Sequence, residues 1–187
     1  MYLLVFQNYI YLMSKWSNIL KCISYRICLT VMDPIYRFQR WQIPLEAYPV
    51  NLTLLEKALK EYEGTHDFRA FAGAIEQTEK KANRKVNSVR TIFECNLVDE
   101  RDFYGREGYY RIDIALSGAL YKMVRNMVGT VIDVSRGRMD YDTFKRFLDN
   151  EEGGAERQLY RKDNPSKPAP AEGLTLERVF YDDNDVF

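Results

Sequence analysis

Histidine and cysteine are scarce in this chain of 187 residues, which contains one histidine, His66, and three cysteines. An odd number of cysteines cannot all pair, and their spacing matches no CxxC framework, so no disulfide scaffold is expected. A single histidine excludes a multi-histidine metal site, and we expect no bound metal. Free thiols favour a reducing compartment, cytoplasmic or organellar.

Net charge is also absent, because 27 basic and 27 acidic side chains cancel. This balance argues against a histone-like protein held to nucleic acid by bulk charge, although a local basic face remains compatible with it. The chain contains no G-x-G-x-x-G, Walker, G-x-S-x-G or H-E-x-x-H motif. The sequence therefore predicts no nucleotide cofactor and none of the hydrolase chemistry that those motifs carry.

Long hydrophobic runs are missing as well, and the nearest approach to one is the apolar stretch at residues 1–13. That stretch is shorter than the roughly 18 to 20 residues that cross a bilayer. It also lacks the basic residues that precede the apolar core of a signal peptide. We expect a strand or helix that packs on the core; a mis-started or truncated amino terminus is the alternative. We divide the chain into an atypical segment, 1–20, and one domain, 21–187.

Hydrophobic periodicity predicts the elements of that domain. Alternating patterns predict strands at residues 24–31, 88–98, 109–116 and 174–181, and helical patterns predict helices at 52–62, 119–134 and 141–148. Thr53 and Glu56 form a capping-box pattern, and Gly64 has the position of a carboxy-terminal cap. Residues 75–87 are charged and are interpreted as a surface loop or lid. We predict an α+β fold, an antiparallel sheet with helices packed on one face.

Two polar residues in this pattern are candidates for chemistry. Arg125 lies in the most apolar helix, where a partly buried guanidinium needs an anionic partner. The sequence leaves open whether that partner is a structural carboxylate, a bound anion or a catalytic carboxylate. His66 precedes Asp67, but neighbours on an extended chain point in opposite directions, so a structural histidine is favoured over a catalytic one. Gly118 and Gly129, in and beside the same helix, are expected to permit close backbone approach.

One segment is basic and interleaved with aromatic residues. Its cations are Lys80, Lys81, Arg84, Lys85 and Arg90, and the aromatic residues Phe68, Phe71 and Phe93 are close in sequence. Such a segment could bind an RNA backbone and stack a base, and a solvated loop is the alternative.

Several short motifs occur in one order along the chain. They are residues 21–27 (KCISYRI), Asp33-Pro34, residues 64–68 (GTHDF), residues 117–129 (SGALYKMVRNMVG) and Gly173-Leu174. From Lys21 onward this order resembles the tRNA pseudouridine synthase A (TruA) family, and the domain 21–187 resembles its carboxy-terminal part.

The resemblance implies an enzyme that isomerises uridine to pseudouridine in tRNA, without cofactor or metal and usually as a homodimer. In the family, an arginine at the position of Arg125 supports a catalytic aspartate, and a tyrosine comes from a Lys-x-Tyr-x-Tyr strand. The target nucleoside leaves its stack, so a basic cleft with an aromatic platform is implied. We therefore expect RNA contacts from His66, Phe68 and the four cations between residues 80 and 85.

The sequence departs from the family pattern at the catalytic positions. It contains no Arg-Thr-Asp motif, and Ala119 replaces a phenylalanine. In the register set by Lys21, Ile23 occupies the position of the active-site tyrosine and Tyr25 matches the second tyrosine of the motif. A shift of two residues would make Tyr25 the candidate catalytic tyrosine but would lose the lysine match. We expect Arg125 to contact solvent, an anion or another acid, and the chain alone to be inactive. The alternatives are a non-catalytic RNA-binding module and a structural dimerisation partner of a full-length paralogue.

Overall fold

The protein is described by a computed structural model that covers residues 20–43, 49–105, 107–149 and 158–181. The expected packing of the apolar stretch at residues 1–13 lies outside the described residues. Within them the strands are β1 (Leu20–Cys28), β2 (Trp41–Gln42), β3 (Gly64–Asp67), β4 (Val89–Asp99), β5 (Tyr109–Leu116) and β6 (Leu174–Phe180). The α-helices are α1 (Leu52–Lys60), α2 (Ile75–Ala82), α3 (Arg101–Tyr104), α4 (Met123–Ser135) and α5 (Tyr141–Leu148). Short 3₁₀ helices cover Pro34–Tyr36, Phe68–Phe71 and Arg161–Asp163.

The strands form one sheet in the order β2-β1-β5-β4-β3, and β6 pairs with β1. Every pairing is antiparallel except that of β2, which runs parallel to the end of β1 through Ile27–Trp41 and Cys28–Gln42. The α+β prediction is confirmed, and the parallel β2 makes the sheet mixed. A two-residue strand at the edge of an aromatic connection carries too little pattern to be found in the sequence.

The two faces of the sheet differ in chemistry, as the alternation along β5 predicts. Ile112 and Ile114 pack with the buried residues of α1, α4 and α5 in one hydrophobic core. Arg111 lies on the opposite face, where its Nε and Nη2 atoms donate to the two carboxylate oxygens of Asp113 at 2.6 and 2.8 Å. The helices therefore cover one face, and ionic side chains occupy part of the other.

Glu100 is the centre of that ionic face. Its carboxylate is nearly buried and accepts from Arg40 at 2.6 Å and from Arg111 at 3.1 Å, and Arg26 lies 3.8 Å away. The Arg40 side chain is completely buried, and its guanidinium lies 4.9 Å from the centre of the Tyr109 ring. A buried guanidinium requires a carboxylate partner, and Glu100 provides one for Arg40. Through its three arginine contacts, Glu100 also links β1, the segment before β2, and β5.

The helix boundaries differ from the sequence predictions where backbone conformation decides them. Helix α4 begins at Met123 instead of residue 119, because Lys122 adopts a left-handed conformation (φ 57°). The amino-terminal cap of α1 is Asn51, whose side chain accepts from the Leu54 N–H at 3.0 Å, and not Thr53. Gly64, with φ 110°, begins β3 instead of capping α1, whose carboxy-terminal cap is Glu61.

Residues 75–87 are not a continuous loop, because α2 occupies most of them. Left-handed residues bound this helix, Ala74 before it and Asn83 after it. Glu79 on its inner side binds Arg69 at 2.5 Å and accepts from the Val86 N–H at 2.9 Å. One charge of this segment is therefore paired with a buried arginine outside it, which the sequence of the segment did not indicate.

No helix in the described part of the chain is long and apolar enough to cross a membrane.

Candidate functional site

A close crossing of two chain segments shapes the region around Arg125. A Cβ atom at Gly129 would lie 2.0 Å from the carbonyl oxygen of Lys167, so residues 167–169 pass directly over α4. The Ala169 N–H donates to the Arg125 carbonyl at 2.9 Å and fixes this crossing. The close approach expected at Gly129 is confirmed. Gly118 differs, since the nearest atom to its Cβ position is the Nε of Arg90, 3.9 Å away.

Arg125 itself is half-buried, and a main-chain carbonyl is its partner. Its Nε donates to the Ala169 carbonyl at 2.6 Å. No carboxylate of the described residues forms an ion pair with it, so the structural-carboxylate alternative is not what these residues adopt. A guanidinium has five N–H donors, and the hydrogen bond to Ala169 uses one of them.

Tyr25 lies beside this arginine. Its side chain is completely buried, and its hydroxyl donates to the Pro170 carbonyl at 2.6 Å. Burial raises the pKa of the phenol well above its usual value, while the charge of Arg125 acts in the opposite direction. Gly173 closes the other side of the ring, because a Cβ there would lie 2.8 Å from it. The structure thus brings together Tyr25, Arg125 and the carbonyls of residues 169–170.

Ile23, which the resemblance aligns with the family's tyrosine position, lies two residues earlier on β1. It pairs with Ile114 of β5 and Leu176 of β6, and it packs against the core. Successive side chains on a strand alternate, so Ile23 and Tyr25 share one side of the sheet. The hydroxyl in this region therefore comes from Tyr25, while Ile23 supplies only apolar surface.

The side chains of His66 and Phe68 are in contact with each other. The Nε2 atom of His66 is 3.0 Å from the Glu63 carbonyl, and its ring meets Phe68 edge-on at 6.0 Å. Phe68 has no exposed surface, because the 3₁₀ helix that follows β3 turns it into the core against Tyr62. A ring in this position cannot stack on RNA, so the structure corrects that expectation for Phe68.

The four cations predicted to bind RNA are exposed. Lys80 and Lys81 lie in the last turn of α2, and Arg84 and Lys85 follow it. Lys80 forms an ion pair with Glu76 at 3.3 Å. We call these four side chains the basic surface of α2; they lie at the end of that helix and in the residues that follow it, on a part of the chain distinct from α4 and β1.

Sequence reasoning missed a pocket beside α4. A cavity of about 650 Å³ is lined by residues of the turn before α4 and of the 161–168 segment, among them Tyr121, Lys122 and Lys167. The segments that form it are some forty residues apart in sequence, so no local pattern could reveal it. Among the described residues, no group of three or more His, Cys, Asp or Glu side chains is arranged to hold a metal ion.

The comparison with known families decides the assignment of this arrangement. A family model described as tRNA pseudouridine synthase matches residues 58–182, more than half of the chain. The chain belongs to the tRNA pseudouridine synthase family. The matched range contains Arg125 and the 167–173 segment, whereas Tyr25 precedes it.

Individual relatives within this family agree. The chain is 32% identical over 140 residues to tRNA pseudouridine synthase A of Streptococcus agalactiae serotype V. The aligned region covers 75% of this chain and 46% of the relative. The chain is 32% identical over 173 residues to tRNA pseudouridine synthase A 1 of Protochlamydia amoebophila, covering 92% and 59%. It is 34% identical over 158 residues to tRNA pseudouridine synthase A 1 of Bacillus cereus, covering 84% and 54%. The chain spans about half the length of the curated relatives it matches.

Proposed function

We propose that this chain binds tRNA through the Arg125 side of a pseudouridine synthase site and through the basic surface of α2, and that it does not isomerise uridine by itself. The observation that carries the proposal is the Arg125 guanidinium, held by Nε to the Ala169 carbonyl beside the buried Tyr25. The remaining donors of a half-buried guanidinium suit a phosphate or carboxylate, with which charge-assisted hydrogen bonds are strongest.

The chemistry of the family explains why binding and turnover separate here. Making pseudouridine requires the glycosidic bond to break, the base to turn and a carbon–carbon bond to form at the same sugar. The resemblance assigns the decisive group to an aspartate in an Arg-Thr-Asp motif, and this sequence has no such motif. The arginine that would lower the pKa of that aspartate is present without it.

Isomerase activity provides the first test. The purified chain is incubated with unmodified tRNA, and pseudouridine is quantified by mass spectrometry of the digested RNA. We expect no pseudouridine above the protein-free blank, while a full-length tRNA pseudouridine synthase A serves as positive control. Turnover by this chain alone would refute the claim of inactivity.

Binding provides the second test, on the basic surface of α2. Replacing Lys80, Lys81, Arg84 and Lys85 together with Ala should weaken tRNA binding and reduce the slope of log K against log salt by up to about 3. The matched control removes four exposed cations on other elements, Arg37, Lys57, Arg101 and Arg146. Equal loss in both variants, or no tRNA binding by the unmodified sequence at low salt, would refute the proposal.

Dimerisation belongs to the same proposal but has separate support. The resemblance implies a homodimer, and a dimer with a full-length paralogue is the related possibility stated above. Both stay predictions, which size-exclusion chromatography with light scattering would test.

A further inference from the structure

The pocket beside α4 has three walls from separate parts of the chain. Tyr121 and Lys122 form one wall, residues 164–168 form the second, and Gly73, Ala74 and Gln77 at the start of α2 form the third. Its volume of about 650 Å³ falls in the range of roughly 300 to 1,000 Å³ that is typical of small-molecule sites.

The lining of this pocket is cationic. It contains Lys122, Arg161, Lys162 and Lys167, and none of the described residues that line it is a carboxylate. Arg161 donates to the main-chain carbonyls of Asn164 and Ser166, and Lys162 binds Glu76 at 2.9 Å. Lys122 and Lys167 are exposed, and neither has a carboxylate within ion-pair distance among the residues described. Two such cations in a concave site concentrate positive potential there.

An aromatic ring lies at the rim of the same pocket. Tyr121 is 64% exposed, yet its position is fixed. The Gly73 N–H donates to the Tyr121 carbonyl at 2.8 Å, and a Cβ at Gly73 would lie 3.0 Å from the ring. A large exposed ring on a fixed backbone is the platform on which a base stacks, whatever its identity.

Two buried side chains of the lining each carry a polar atom without a hydrogen-bond partner among the described residues. Asn126 is 2% exposed and donates to the Phe71 carbonyl, but its Oδ1 has no hydrogen-bond partner among the described residues. Ser166 is 3% exposed, and its Oγ also has no hydrogen-bond partner within the described part of the chain. Unpaired buried polar atoms are rare and costly, and an ordered water or ion is one common explanation for them. Ala74 and Lys122, both left-handed, add backbone strain at the same walls.

We propose that this pocket binds one nucleotide of an RNA strand, with a phosphate between Lys122 and Lys167 and the base against the ring of Tyr121. The inference rests on the proposed function and adds a contact site for that RNA. A free mononucleotide offers the same phosphate and base chemistry. The strand is favoured because the pocket adjoins α2, whose other end carries Lys80 and Lys81.

The test uses the full chain and a fluorescent single-stranded uridine octamer, with binding measured by anisotropy over a salt series. Lys122→Gln with Lys167→Gln should reduce the log–log salt slope by about 0.7, the value for one neutralised phosphate on a single strand. Tyr121→Ala should weaken binding about 5- to 150-fold, and Tyr121→Phe should retain it. Lys57→Gln with Arg146→Gln is the charge-matched control and should change nothing. An octamer carrying 5-iodouridine should photocrosslink to the peptide that contains Tyr121.

The outcomes separate the two proposals. Octamer binding that is insensitive to Lys122, Lys167 and Tyr121, while tRNA binding still depends on the cations of residues 80–85, overturns the pocket assignment alone. Failure of the unmodified sequence to bind tRNA overturns the proposed function instead. Uridine monophosphate binding as tightly as the octamer, with the same dependence on Tyr121, overturns the strand assignment and identifies a free nucleotide as the ligand. Circular dichroism melting of every variant confirms that the fold is retained.

Discussion

At the scale of single residues, Gly129 has the least space for a side chain among the glycines of the described residues. Gly129→Ala places a Cβ 2.0 Å from the Lys167 carbonyl, and both partners are backbone. We expect this substitution to destabilise the protein by about 1 to 3 kcal/mol, as overpacking does. Gly118→Ala is the matched control, with nothing closer than 3.9 Å, and should stay within about 0.5 kcal/mol. Urea unfolding measures both, and equal effects would contradict the crossing.

The hydroxyl of Tyr25 offers a second residue-scale prediction. Tyr25→Phe removes the hydrogen bond to the Pro170 carbonyl and should cost about 1 kcal/mol at neutral pH. Because burial raises the pKa of this phenol, its contribution is complete below about pH 10 and is lost as the pH rises further. The stability difference between the two proteins should therefore shrink above pH 10 in chemical unfolding. A difference that is constant with pH would contradict this account.

What the sequence can reveal about a residue depends on where its partner lies. The apolar neighbours of Arg125 predict its partial burial, but its partner is the carbonyl of Ala169, 44 positions away. Phe68 belongs to a motif that suggests RNA contact, yet the turn after β3 decides that its ring faces inward. Composition and spacing do not encode that choice of side.

At the scale of elements, Glu61 joins the end of α1 to α5. Its carboxylate accepts from the Tyr141 hydroxyl at 2.7 Å and from Lys145. Both bonds lower its pKa, so this contribution is present above about pH 4.5 and is lost as the pH falls. Glu61→Gln should reduce stability by about 1 kcal/mol at pH 7 and flatten the loss of stability between pH 5 and 3.

Glu56, on the same helix and exposed, provides the control for this prediction. Glu56→Gln should leave both the stability at pH 7 and its acid dependence close to those of the unmodified sequence. Thermal melting across the pH series measures the three proteins. A Glu61 variant with the same acid profile as the Glu56 variant would show that the contact between α1 and α5 contributes nothing measurable.

Elements were predictable where their own sequence decides them. The bounds of β5 and α5 match the periodicity at both ends, because each is a clean amphipathic segment with a distinct start. The start of α4 was missed because Lys122 adopts a left-handed conformation. The carbonyl of the preceding residue, Tyr121, accepts a hydrogen bond from the N–H of Gly73, which lies far earlier in the chain. The helix α2 was missed because its charges suggested solvent, whereas Glu79 pairs with Arg69.

At the scale of the whole molecule, α2 connects the two cationic regions. Its eight residues extend about 12 Å. Gln77 lies at the pocket wall, and Lys81 lies about 6 Å further along the helix axis. If one RNA strand contacts both, their contributions to binding should add. In the variant that combines the changes at residues 80, 81, 84, 85, 122 and 167, the slope of log K for tRNA against log salt should decrease by the sum of the decreases in the two separate variants. A combined loss no greater than that of residues 80–85 alone would show that the pocket lies off the path of tRNA.

The pairing of β6 with β1 has a consequence for biosynthesis. Residues 20–25 hydrogen-bond with residues 174–180, about 150 positions later. At roughly 5 to 20 residues per second, a ribosome needs on the order of 10 to 30 seconds to make the intervening chain. During that interval the nascent β1 has one side without its final neighbour, and the strand edge is open to other chains. The sheet is completed only after β6 has been translated, so chaperone occupancy of the nascent chain should end there.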